Sequence, residues 1–134
     1  MSKKFKSRRV CIALITDSED NVLMGIRKDS GKWANIGGRA ENKEDPYCAM
    51  VRELKEESGL DAKKIKLIES RWNIDKNLLI YLYKIEIDRN QPIDMSKDPD
   101  EEFKEIRFVD PNEIVEDLQV PLEENIAIKY WMDN

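Results

Sequence analysis

Three glutamates, Glu53, Glu56 and Glu57, stand at positions i, i+3 and i+4 of a chain of 134 residues that has no histidine and only two cysteines, Cys11 and Cys48. On a helix that spacing brings all three carboxylates to one face, where they repel one another. A divalent cation cancels the repulsion and supplies the missing partner. The competing reading of the triplet alone is a solvated acidic face. The absent histidine excludes a Ser-His-Asp triad, a Cys-His dyad and any imidazole proton shuttle. Two lone cysteines cannot fill a zinc site. Acid–base or metal work must therefore fall to carboxylates, which favour hard ions such as Mg²⁺ or Mn²⁺. The chain has 28 acidic and 23 basic residues, a net charge of −5.

The element that positions the glutamates is a predicted helix over residues 46–58. Asp45 is its cap, Pro46 its first residue and Gly59 its stop. A step of 100° per residue groups Tyr47, Val51 and Leu54 into one stripe, the expected core face. The glutamates fall roughly opposite, beside Ala49, with Lys55 off the cluster and Arg52 flanking it. Before the helix, Gly37-Gly38 opens a polar loop whose backbone can approach a ligand closely. Upstream, residues 9–16 and 22–26 read as strands joined through the turn 17–21 as a hairpin. Residues 32–36 form a short strand with Trp33. Downstream, strands are expected over 65–72, 78–87 and 105–109, the second of them central in a sheet. A polar loop covers 88–100. A short helix covers 111–117, opened by Asp110 and Pro111, and a last helix covers 123–132 with Ile126, Tyr130 and Trp131 near one face. The sum is one domain, residues 1–134, of the α/β (α+β) class: a mixed sheet with a few helices packed on it.

Other patterns fail. Residues 17–21 alternate oxygens like a calcium loop, but Val22 and Lys28 stand where that loop needs Gly and Glu. Gly31-Lys32 is followed by Trp33 and lacks the upstream glycine of a P-loop. Basic residues are scattered among acids, which gives duplex nucleic acid no footprint. No apolar run approaches the ~18 residues of a membrane span, and the stretch after the basic cluster 3–9 is too short for a signal peptide. That cluster reads as a solvated lead-in to the first strand or as a partner or phosphate contact. The cysteines read as buried free thiols of a cytoplasmic protein.

Residues 38–60, GRAENKEDPYCAMVRELKEESGL, resemble the signature of the Nudix hydrolase family. Gly38 opens the pattern, Glu44 follows after five residues and Arg52-Glu53-Leu54 after seven more, and Glu56-Glu57-Ser58-Gly59-Leu60 completes it. Every specified position matches. One departure lies outside the pattern: Ile36-Gly37-Gly38 stands where the family often has Pro-Gly-Gly. The resemblance implies an α/β/α sandwich with a mixed central sheet. It also implies a hydrolase using Mg²⁺ or Mn²⁺ to cleave a diphosphate bond in a nucleoside diphosphate joined to another group. Metal ions would bridge the acidic site and the anionic substrate and lower the pKa of a bound water.

Carried onto this chain, the resemblance makes Glu53, Glu56 and Glu57 metal ligands, joined by the Gly37 carbonyl and by an acid of the run 98–102, with Glu102 preferred and Glu101 next. Glu53 is favoured as the base. Glu44 and Arg52 are orienting groups. Arg27 and Lys28 are candidate phosphate contacts, Gly38 a backbone contact, and Trp33, Trp72 and Phe103 candidate stacking platforms. Markers of other branches are missing: Asp75 stands where many ADP-ribose hydrolases have proline, and no tyrosine marks a diadenosine polyphosphate hydrolase near Asn77 or Leu78. By elimination the chain resembles the mutator-type nucleoside triphosphate pyrophosphohydrolases. An ADP-ribose or nucleotide-sugar pyrophosphatase is the alternative, and a non-enzymatic nucleotide sensor or an acidic interaction module are the other classes weighed. The expected partner is a small nucleotide, with no membrane. The pair Tyr130-Trp131 either covers the core or joins a homodimer interface.

Overall fold

The apolar run behind the basic lead-in becomes strand β1 (Arg8–Leu14). The computed structural model describes residues 8–88 and 90–134, so residues 3–7 of the basic cluster lie outside the described residues. β1 takes a partner on each edge. One is the antiparallel β4 (Gly37–Arg39), with Cys11 opposite Gly38. The other is the parallel β6 (Leu78–Ile87), whose antiparallel neighbour β5 (Ala62–Asn73) forms the outer edge. This gives a mixed sheet in the order β4-β1-β6-β5, with the apolar 78–87 strand inside it, as its composition predicts. A second, antiparallel sheet has the order β3 (Trp33–Asn35), β2 (Val22–Arg27), β7 (Phe103–Val109).

Helix α1 (Pro46–Ser58) begins and ends where its punctuation demands. Asp45 Oδ1 accepts the Tyr47 N–H at 2.7 Å, and Gly59, at φ 74°, turns the chain out in the left-handed conformation. α2 (Pro111–Ile114) continues as a 3₁₀ turn over Val115–Asp117, capped by Asp110. α3 (Ile126–Asp133) starts later than its sequence pattern suggests, because Asn125 Oδ1 accepts the Ile128 N–H at 3.0 Å and Leu122–Glu124 closes as a 3₁₀ turn.

Alternate residues of the strands feed two cores. Cys11, Ala13 and Leu23 pack with Ala49, Met50 and Leu54 of α1. Leu14, Val22 and Met24 pack with Ile114 and with Ile126 to Ile128 of α2 and α3. Helices thus cover both faces, the α/β/α layering expected from the sequence. Tyr130 and Trp131 pack on the second core, and the Trp131 Nε1–H donates to the Asp20 carbonyl at 3.0 Å. Among the described residues no helix is long and apolar enough to cross a membrane.

Four expectations are corrected. The 9–16 and 22–26 strands do not form a hairpin ladder: only Thr16 and Val22 bridge, because both edges of β1 and both edges of β2 are taken by other strands. Gly37-Gly38 is not loop but the start of β4, where the missing side chains let it lie close against β1. Cys48 is exposed, while Cys11 is buried as expected. The core face of α1 is also turned. Tyr47 and Val51 are 49% and 42% exposed, whereas Ala49, Met50, Leu54, Ser58 and Glu57 are buried. The helix rests on β1 and β4, so its small-residue edge packs inward and carries the glutamates into the groove instead of out to solvent.

Candidate active site

The turned helix gives its acids three different surroundings. Glu57 lies deepest, 1% exposed. Its Oε1 accepts the Gly37 N–H at 3.0 Å, and its Oε2 is buried without a hydrogen-bond partner. Burial first, and the neighbouring Glu53 charge second, push its carboxyl up to about 10. Glu53 lies one turn earlier against β4. A Cβ at Gly38 would stand 2.6 Å from the Glu53 Cδ, so this carboxyl fills the space that the glycine leaves. Burial raises Glu53 to about 7, against the pull of Arg52.

Arg52 ties the outer acids together. Its Nε and Nη2 grip Glu44 at 2.8 and 2.9 Å, a two-pronged pair. Its Nη1 reaches Glu53 Oε1 at 3.1 Å and Glu56 Oε2 at 3.2 Å. The Arg52 fork holds Glu44 well below the carboxylate range, at about 2. Glu44 in turn accepts the Glu41 N–H at 2.9 Å, which fixes the loop ahead of α1.

Glu102 enters from the segment before β7. Its backbone is fixed by Asp98 Oδ2, which accepts the Glu102 N–H at 3.2 Å, and by the Lys28 N–H, which donates to the Glu102 carbonyl at 2.9 Å. The Glu102 charge acts on both Glu53 and Glu57, and its Oε2 lies 4.0 Å from Arg27 Nη1. Glu101 is exposed and faces Lys28 at 4.0 Å instead. Of the acids in 98–102, Glu102 acts on both Glu53 and Glu57, while Asp100 shares the cavity of Glu53, and Asp98 and Glu101 share one with Glu57.

Among the described residues no three acids converge closely enough to form a ready cation cage. Arg52 accounts for this by drawing Glu53 and Glu56 to its own Nη1. The donor set nevertheless fits a hard divalent ion: Glu57 presents a buried carboxylate oxygen with no partner, and Glu53 and Glu102 stand beside it.

Two cavities meet at Gly38. The first, about 600 Å³, is lined by Glu53, Glu102 and Arg52 and by Arg8, Arg9 and Arg39. The second, about 270 Å³, is mostly apolar, with Val10, Ile12, Leu78, Ile80 and Ile126 in its wall and Arg27 at its side. It contains Asn35, whose Nδ2 is buried without a partner while its Oδ1 accepts from Asn125 Nδ2 at 3.3 Å. Arg27 also pairs with Asp29 at 3.0 Å. Lys28 is exposed and lines a third cavity beside Glu57, with Phe103.

Trp33 stands apart from this group. It is 7% exposed, packs in the second core and lies under the Arg107 guanidinium at 4.8 Å. Trp72 is 57% exposed and lines neither cavity that meets at Gly38. Sequence reasoning missed Asn35 and Arg39, whereas Arg8 belongs to the basic cluster weighed as a phosphate contact. Asn125 carried a legible signal, a capping side chain three residues before Ile128. Asn35 carried none, because its pairing with Asn125 spans 90 positions.

The family model of the NUDIX domain matches residues 6–130. Mouse diphosphoinositol polyphosphate phosphohydrolase 2 is 32% identical over 84 residues, which is 62% of this chain and 47% of that protein. The NAD-capped RNA hydrolase of Schizosaccharomyces pombe is 28% identical over 114 residues, 81% of this chain and 30% of that one. The chain thus spans about half the length, or less, of these curated relatives. A solved MutT structure, from a study of Aliivibrio salmonicida and Vibrio cholerae, superposes with a TM-score of 0.73 at 20% identity, covering 96% of this chain and 98% of that one.

Proposed function

The chain belongs to the NUDIX domain family, and on that footing we propose that it is a divalent-metal-dependent pyrophosphohydrolase acting on a nucleoside triphosphate. The observation that carries this reading is Glu57, buried at 1% exposure with one carboxylate oxygen unpartnered and Glu53 and Glu102 beside it. Burying Glu57 with Glu53 and Glu102 close by is costly unless a cation answers them. Glu53, Glu56, Glu57 and Glu102 would hold a Mg²⁺ or Mn²⁺ ion, with the Gly37 carbonyl as a further donor. Such an ion, when bound, supplies neutralising charge to phosphoryl oxygens and acidifies water.

The rest is the work of the chain itself. Arg52 holds Glu44 rigidly and keeps Glu53 and Glu56 within reach of the groove. Glu53 sits near neutrality at about 7, which suits a group that takes a proton from attacking water. Gly38, at the meeting of the two cavities, leaves room for a diphosphate against backbone. The apolar cavity suits a nucleoside, with the free Asn35 Nδ2 as a donor to a base oxygen and Arg27 beside the phosphates. Lys28 would act from further out, while Trp33, packed in the second core, has no part in this reading. Residues 1–134 would work as one domain in the cytoplasm, in keeping with the free thiols of Cys11 and Cys48.

A substrate panel tests this. Nucleoside triphosphates, ADP-ribose, nucleotide sugars, dinucleoside polyphosphates and capped RNA are each assayed with Mg²⁺ and Mn²⁺. The expected result is turnover of triphosphates to monophosphate and pyrophosphate, lost on chelation. Faster turnover of ADP-ribose would favour the alternative substrate class. No turnover of any member would remove the enzymatic reading.

A further inference from the structure

The described residues include Arg8, Arg9, Arg27, Arg39, Arg52, Arg71 and Arg107. Four of them face a carboxylate: Arg27 with Asp29, Arg52 with Glu44, Arg71 with Glu69 and Arg107 with Glu105. In a chain with more acids than bases, that pairing is what a mixed surface gives. Arg8 and Arg39 form no ion pair among the described residues, Arg9 acts on the Glu44 carboxyl that Arg52 already holds, and all three line the same cavity of about 600 Å³. Glu41, Glu53, Asp100 and Glu102 stand in the same lining, so the cavity carries opposite charges in its wall.

Two of these arginines are also held in place. The Arg9 Nη1 and Nη2 donate to the Glu44 and Glu41 carbonyls at 2.6 and 2.9 Å, and the Arg8 Nη2 donates to the Lys76 carbonyl at 3.1 Å. Each guanidinium has five N–H groups, so donors remain on both. The backbone of Arg39 is fixed as well, because its carbonyl accepts from Arg52 Nη2 at 3.3 Å. Backbone carbonyls orient a guanidinium without cancelling its charge. The result is a row of guanidinium groups with unused donors beside the acidic groove, and it is suited to a tetrahedral oxyanion.

We propose that Arg8, Arg9 and Arg39 receive a further phosphate of the substrate, so that the enzyme prefers ligands carrying at least one phosphate beyond the cleaved diphosphate. A sugar or another neutral group at that end would leave these guanidinium donors without an anionic acceptor. The proposal rests on the hydrolase reading above and narrows its substrate class.

The test uses R8Q, R39Q and the double variant, and leaves Arg9 to hold its loop. Steady-state kinetics with Mg²⁺ are measured on a nucleoside triphosphate and on ADP-ribose. Binding of inorganic tripolyphosphate is measured by calorimetry in EDTA. The double variant should raise KM for the triphosphate roughly tenfold with kcat nearly kept, leave KM for ADP-ribose within about twofold, and weaken tripolyphosphate binding roughly tenfold. An equal rise in both KM values, or unchanged tripolyphosphate binding, overturns the proposal. A wild-type protein that turns over nothing overturns the hydrolase reading instead, and the calorimetry still decides on the arginine wall.

Discussion

Glu44 and Glu57 are the same residue type in one short pattern, yet the fold treats them in opposite ways. Glu44 lies in the arms of Arg52 at 2.8 and 2.9 Å, and its carboxyl is held at about 2. Glu57 is sealed under α1 with one oxygen unpartnered, and its carboxyl is driven to about 10. An acid answered by a guanidinium is an anchor: its charge is settled, and it sets the position of the loop ahead of the helix. An acid buried beside other acids costs stability as it stands, which is reasonable only if something else binds there. The comparison separates the groups that hold the site from the groups that act in it.

The sharpest way to break the comparison is to remove the ionisable carboxyl at the deep end. E57Q and E53Q should each lower kcat by roughly 10²–10⁴ while the folded spectrum is kept, measured by product release under saturating Mg²⁺. Activity near wild type in both would move the site elsewhere. R52K comes next. A single ammonium cannot reproduce the fork on Glu44, so turnover should fall about 10–100-fold, with little change in helix content.

Stability against pH separates the two acids by sign. Glu57 and Glu53 have folded values above the ordinary carboxyl value of 4.5, so the unfolded chain releases their protons first. Their contribution is fully present below pH 4.5 and declines as pH rises, toward about 7 for Glu53 and about 10 for Glu57. Glu44 is shifted downward, so its contribution is present above 4.5 and is lost as pH falls through about 2. Thermal melts in EDTA should therefore show wild type losing stability from pH 5 to 8, and E57Q losing less, with a gain of about 1–3 kcal/mol at pH 8. E44Q should not share that gain. The smallest expected effect lies on the outward side of α1. V51S, at a site 42% exposed, should change stability by less than about 0.5 kcal/mol, whereas L54A should cost about 2–5 kcal/mol.

Local signals were the legible ones. Asp45, Pro46 and Gly59 bounded α1 correctly because caps and breakers act on their immediate neighbours. The strand at Leu78–Ile87 was legible from its continuous apolar run. The orientation of α1 was not, because Tyr47, Val51 and Leu54 form as good a stripe as the one that is buried. What turns the helix is the glycine pair of β4, whose closeness to β1 depends on pairing across 27 positions. The two-sheet arrangement was hidden for the same reason, since β2 pairs with β7 far along the chain. At the site, the glutamate triplet was legible from its spacing on one helix, and Arg52 and Glu44 from the resemblance to the family signature. Asn35 and the arginine wall were not, because they are assembled from β1, β3 and β4.

The most direct measurement is a Mn²⁺ titration followed by electron paramagnetic resonance on wild type, E57Q and V51S. Wild type and V51S should withdraw Mn²⁺ from the free-ion signal alike, and E57Q should lose this binding together with turnover. Undiminished Mn²⁺ binding by E57Q would contradict the account, because the buried, unpartnered carboxylate would then not be the reason the acids are gathered there.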